Sequence, residues 1–163
     1  MEVLNNFSTS VAKALEEIDP KWNSYQGLII CGTHSPKEWE EQIEKIKEAR
    51  EKGLPYLGIC FGHQLAFIEW CRNVLHMLDA TSEEWGKENF VVKKREEGLN
   101  VGLKNGESFW NNFEVNEYLS SKWKKANNFI TVQYHPEYQS SKKKPHPILV
   151  NFLKYAKEYT MAM

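Results

Sequence analysis

The chain has 163 residues, a formal net charge of −1, 41% apolar and 26% charged residues. That balance suits one globular domain over residues 1–163, burying about 68–70% of its unfolded surface, and argues against a dedicated nucleic-acid binder, which is usually basic. Six Trp, seven Tyr and eight Phe exclude a disordered chain. No apolar run approaches the ~20 residues that cross a bilayer, so no membrane partner is expected. Met1 to Ser10 lacks the basic-then-apolar order of a signal peptide. Cys31, Cys60 and Cys71 match no zinc or CxxC spacing, so free thiols, no metal and a cytoplasmic location are expected.

Short apolar runs alternate with helical stretches, the pattern of a parallel α/β sheet. Gly27 to Ile30 reads as a buried strand. Ser35, Pro36 and Glu38 read as an N-cap, a first helical position and a capping-box partner. They open a helix predicted from about Pro36 to Lys52, with Trp39, Ile43 and Ile46 at helical spacing and Gly53 as its stop. Pro55 to Ile59 is the next strand, and a helix from about Gly62 to Leu75 follows. Phe90–Val92 and Val101–Leu103 read as strands, with Gly98 and Asn105-Gly106 as turns. Phe129 to Tyr134 alternates as a strand, and Pro147 to Tyr159 reads as the last helix. His76 and His146 read as surface histidines, His63 as a packing or hydrogen-bonding residue, and Cys31 and Cys71 as core thiols.

Gly58-Ile-Cys-Phe-Gly62 lies where a strand meets a helix, the thiol version of a G-x-S-x-G elbow. A nucleophile on such a turn projects outward, and flanking glycines let neighbouring chain pass closely. The helix points its free N–H groups and partial positive charge at the sulfur. Phe61 N–H is placed to meet a developing oxyanion. His135, at the end of the Phe129–Tyr134 strand, would reach the same sheet edge as Cys60 and act as base. Glu137, across Pro136, would orient the imidazole. Alone, each motif is equally compatible with a packed cysteine and a surface turn; their joint placement favours catalysis.

Leu54 to Ala66 (LPYLGICFGHQLA) and Val132 to Glu137 (VQYHPE) resemble the elbow and His-Pro-Glu motifs of class I (triad) glutamine amidotransferases. Within that family the likeness is to the glutaminase domains of CTP synthases. It is carried by Ala66–Leu75, Asp79–Trp85 and Glu137–Pro147, and runs from about Gly27 to Tyr155. The resemblance implies a three-layer α/β/α fold with a mostly parallel, flavodoxin-like sheet. Met1 to Leu4 enters near the second strand, so the first βα unit is missing, replaced by a partner, or carried by a divergent segment. That leaves a sheet edge open to oligomerisation or a partner.

By the same resemblance, Cys60 attacks a glutamine side-chain amide, His135 is base then acid, and Glu137 orients it. A γ-glutamyl thioester is hydrolysed, and ammonia passes to a separate synthetase subunit; a homo-oligomer is the other partner expected. Gly32 and Phe61 N–H groups would form the oxyanion hole. Gln64 would line the glutamine pocket and Glu84 would hold the α-amino group. No cofactor is implied, and no phosphate-loop or dinucleotide motif is present. Two places depart from the pattern. Cys31-Gly-Thr33-His34 replaces a glycine-rich oxyanion loop, and Asn112 stands where an Arg grips the substrate carboxylate. A neutral amide makes no charge-assisted clamp. Three readings stay open: a glutaminase feeding a synthetase, a stand-alone hydrolase of another γ-glutamyl amide, and an impaired binding or regulatory subunit.

Overall fold

Alternate residues of two short strands face two different helix layers. Leu28, Ile30 and Tyr56 join one core with Ile43, Ile46, Leu65 and Ile68, while Ile29, Leu57 and Ile59 join a second with Val11, Leu15, Phe152 and Leu153. Strands covered on both faces are apolar at every position, which is why these runs do not alternate in polarity. The computed structural model describes residues 1–163. Its central sheet is parallel, in the order β1 (Glu2–Leu4), β2 (Leu28–Ile30), β3 (Tyr56–Ile59), β9 (Phe129–Val132). Helices α1 (Ser8–Ile18) and α5 (Pro147–Met161) cover one face; α2 (Trp39–Lys52) and α3 (Phe61–Asn73) cover the other. This is the three-layer α/β/α fold with a parallel central sheet.

The unit ahead of β2 consists of a strand, β1, and a helix, α1. It is hard to see because β1 has three residues and the α1 N-cap, Phe7, offers no side-chain hydrogen bond. β1 is an edge of the sheet.

Helix α2 starts at Trp39 rather than Pro36, and its Ser35 capping signal goes unused. The Thr33 hydroxyl accepts the Ser35 N–H at 3.0 Å, and the Gln42 amide donates to Lys37 O at 3.3 Å. Those side chains hold the segment as a loop, Glu38 turns left-handed at φ 53°, and Trp39 stacks on Trp85 with centroids 4.9 Å apart. Tertiary contacts therefore override the local start signal. The stop is as expected: Gly53 sits at φ 70° and Leu54 N–H returns to Ala49 O.

Between α3 and β9 lie two small sheets. β4 (Thr81–Ser82), β5 (Phe90–Lys94) and β8 (Phe113–Val115) form one. β6 (Asn100–Lys104) and β7 (Glu107–Asn111) form a hairpin, closed by Asn105 and Gly106, both with positive φ, as a two-residue turn requires. A four-residue helix, α4 (Glu117–Ser120), follows β8. Val91 and Val92 join the core on the α2–α3 side, so α3 is buried nearly all round rather than on one stripe.

Candidate active site

Cys60 stands between β3 and α3 at φ 56°, ψ −100°. That backbone is sparsely allowed for an L-residue and costs on the order of 1–3 kcal/mol. The flanking glycines make the turn possible. A Cβ on Gly62 would lie 2.0 Å from Ile30 O, and one on Gly58 would lie 2.7 Å from Gly62 O. The Tyr56 hydroxyl, fully buried, donates to Gly62 O at 2.8 Å and ties the elbow to its own strand. The spacing read from the sequence thus has the steric cause expected of it.

His135 follows β9, which pairs with β3 in register Ile59 to Val132, and Cys60 N–H continues the ladder to Val132 O at 2.8 Å. The imidazole is 1% exposed. Its Nδ1 lies 3.1 Å from Glu137 Oε2, and its ring stacks on Tyr138 with centroids 4.7 Å apart. Phe7 packs edge-on against it at 5.6 Å. Burial opposes protonation of this ring; hydrogen bonds to Cys60 and Glu137 outweigh burial and raise its pKa to about 9. Glu137 is buried in the turn Pro136–Tyr138, and its Oε1 has no hydrogen-bond partner. Cys60, His135 and Glu137 are therefore one connected group.

Gly32 lies beneath this group: a Cβ there would be 2.9 Å from His135 Cε1. Its backbone N–H donates to no backbone acceptor, and Phe61 N–H, the first of α3, has no acceptor within its own helix. The chain runs from Gly32 into a cleft lined by Thr33, Cys60, Phe61, Gln64, Glu84 and Asn112, and also by His34, Trp110, Asn111 and Phe113. The Gln64 amide donates to Phe113 O at 3.1 Å and Gln133 Oε1 at 3.3 Å. Burial pushes the Glu84 carboxyl up to about 7. Every residue that the resemblance assigns to catalysis or substrate binding lies in the group, beside it, or along this cleft.

Several neighbours were missed. Gln133 donates to Cys60 Sγ at 3.5 Å, and the Cys60 thiol points at Trp110 O, 3.6 Å away. Gln133 is two residues before His135, the spacing that puts both on one side of an extended chain, and that signal was available. His146 is a correction: it is 7% exposed, not a surface residue. Its Nδ1 accepts the Ile148 N–H at 3.1 Å to cap α5, and its Nε2 meets Glu107 at 2.9 Å. Pro147 at the first helical position marks the cap, but no local signal names Glu107, 39 residues away. His63 behaves as read, bonded to Thr131 Oγ1 at 3.0 Å, with burial lowering its pKa to about 3. Cys31 and Cys71 are fully buried.

The family model for class I glutamine amidotransferases matches residues 3–125, and the chain belongs to that family. Among its curated relatives, the CTP synthase of Encephalitozoon cuniculi is 34% identical, over 78% of this chain and 33% of that protein. The CTP synthase of Pelagibacter ubique is 27% identical, over 89% of this chain and 38% of that protein. The chain thus spans about a third of the length of these relatives. The glutaminase domain of Trypanosoma brucei CTPS, solved with bound acivicin, has the same fold: TM-score 0.75, covering 97% of this chain and 94% of that one at 19% identity.

Proposed function

We propose that the domain over residues 1–163 hydrolyses the side-chain amide of a glutamine unit through Cys60, His135 and Glu137. The observation that carries this is the buried His135, held by Glu137 at 3.1 Å at the same sheet edge as a cysteine on a strained strand-to-helix turn. His135, as base, holds the Cys60 proton, in keeping with its raised pKa, and Cys60 Sγ adds to the amide carbon. Gly32 and Phe61 N–H groups receive the oxyanion. His135 returns the proton to departing ammonia, then draws one from the water that cleaves the γ-glutamyl thioester. Glu137 keeps the imidazole in the orientation that allows both transfers. Gln64 and Thr33 line the pocket, Glu84 meets the substrate ammonium, and Asn112 faces its carboxyl end. No metal or cofactor enters these steps.

The ammonia would be passed to a synthetase, in the cytoplasm; no helix here is long and apolar enough to cross a membrane. A second reading, a stand-alone hydrolase of another γ-glutamyl amide, is favoured by the absence of Lys or Arg from the cleft lining. Labelling with 6-diazo-5-oxo-L-norleucine, located by peptide mass spectrometry with Cys60→Ala as control, tests both. An adduct on Cys60 that glutamine suppresses supports the first reading. No adduct, while iodoacetamide still modifies Cys60, supports the second. A Cys60 that reacts with neither overturns the proposal.

A further inference from the structure

Of the ten residues that line the Cys60 cleft, Glu84 is the only carboxylate and none is Lys or Arg. Burial raises the Glu84 pKa, and no cation stands near enough to oppose it. The guanidinium of Arg95, whose backbone N–H bonds Asn112 O, is spent on Glu114, Glu97 and Gly98 O. His34 is exposed and packs edge-on against Phe7 and Trp110. The cleft therefore offers one ionisable carboxyl to a ligand ammonium, whose charge would favour its ionised form, and neutral side chains, Asn111, Asn112 and Thr33, to everything else. A free amino acid brings a carboxylate as well as an ammonium, and desolvating that carboxylate without a charged partner costs several kcal/mol. An amide carbonyl in its place needs only a neutral donor such as an Asn amide.

The mouth of the cleft has a second feature. Trp110 is 45% exposed and pairs across the β6–β7 hairpin with Val101, which is 47% exposed; Leu103, two residues on, is 65% exposed. Cross-strand partners and alternate residues share one face of a hairpin. An apolar ledge thus continues from the cleft along the hairpin.

We propose that the cleft takes a glutamine unit whose α-ammonium is free and whose α-carboxyl is masked as an amide, as at the N-terminus of a peptide. This rests on the hydrolase reading of Cys60. The thiolate displaces ammonia from the side-chain amide, water cleaves the resulting thioester, and the peptide leaves with an N-terminal glutamate.

The test compares L-glutamine, L-glutaminyl-L-leucine and N-acetyl-L-glutamine. Conversion of the dipeptide to its glutamyl form is read by mass spectrometry, against an enzyme-free control for cyclisation to pyroglutamate. Protection of Cys60 from iodoacetamide by each compound is measured in parallel. We expect kcat/KM for the dipeptide to exceed that for glutamine by roughly tenfold or more, about 1.4 kcal/mol of discrimination. N-acetylglutamine should neither react nor protect, and Asn112→Arg should move the preference back toward glutamine. Glutamine turned over or protecting as well as the dipeptide overturns the proposal. Protection by the dipeptide alone, without hydrolysis of anything, upholds the specificity and overturns the hydrolase reading. Protection by none of the three overturns the specificity itself.

Discussion

Cys60 and Asn112 line the same cleft, yet the chain holds them by different means. Cys60 is fixed by covered parallel strands: Gly58 and Gly62 admit the close backbone passage, Tyr56 anchors it, and β9 brings His135 into register. Asn112 is exposed and lies between two three- to five-residue strands, outside the central sheet. The wall that carries Cys60 is thus tightly constrained by its packing. The wall that carries Asn112 adjoins hairpin β6–β7, attached by a few hydrogen bonds, including His135 N–H to Ser108 O at 2.8 Å and Gln139 to Ser108 Oγ at 2.6 Å. Substitutions on the second wall should be tolerated more readily than on the first.

Substitutions on the two walls should therefore differ in kind. Cys60→Ala should abolish amide hydrolysis, by about a thousandfold or more, while leaving the thermal midpoint nearly unchanged. Gly62→Ala should do the opposite. Its methyl would collide with Ile30 O at 2.0 Å, so α3 must leave its seat on the sheet. We expect a loss of at least about 3 kcal/mol, read by chemical denaturation, with any soluble protein inactive. A Gly62→Ala protein with wild-type stability would mean that the elbow is looser than its contacts require.

Glu137→Gln probes the link between stability and chemistry. Amide hydrolysis should fall by roughly a hundred- to ten-thousandfold, because a neutral amide no longer supports the imidazolium. The His135 transition, followed by NMR of the ring C–H, should move down from about 9. The sign for stability follows from the direction of the shift. His135 is raised above its ordinary 6.5, so its contribution is complete below pH 6.5 and is lost as pH rises through 9. The full span is worth at most about 3 kcal/mol. The wild-type thermal midpoint should decline between pH 6.5 and 9.5, and that decline should shrink in Glu137→Gln. An unchanged pH dependence in the variant would place the raised pKa elsewhere than in the Glu137 contact.

The same division decides what could be read without coordinates. Gly58, Cys60 and Gly62 announce themselves because sterics demand glycine at those places. Buried strands β2 and β3 do so because both faces are covered and every residue must be apolar. His135 and Glu137 are local to each other, so their pairing shows in the spacing. By contrast, the start of α2 depends on Gln42, which reaches back to Lys37 O, and on the distant Asn5 and Trp85, which hold Gln42 and Trp39. β1 is too short for periodicity to speak. Trp110 and Asn111 line the cleft only because a hairpin folds back over the elbow, and nothing local to them says so. His146 reads as surface because its partner, Glu107, is on that hairpin.

His146 also gives the smallest and most discriminating expected effect. It does two things: it caps α5 through Ile148 N–H, and it holds Glu107, the first residue of β7. Loss of the cap in His146→Ala should cost about 1 kcal/mol of global stability. Loss of the Glu107 contact acts only on the hairpin, which carries Trp110 and Asn111 at its far end. His146→Asn restores a capping side chain but is too short to span to Glu107, so it separates the two roles. We expect His146→Asn to regain most of the stability and still show faster amide exchange along β6 and β7. We also expect KM to rise more than kcat falls, since Cys60 and the His135–Glu137 pair are set mainly by β3, β9 and the turn after it, although His135 N–H also bonds Ser108 O of the hairpin. If His146→Asn instead lowers kcat and leaves hairpin exchange unaltered, the two walls are mechanically one. Substitutions on the second wall would then be tolerated no more readily than on the first.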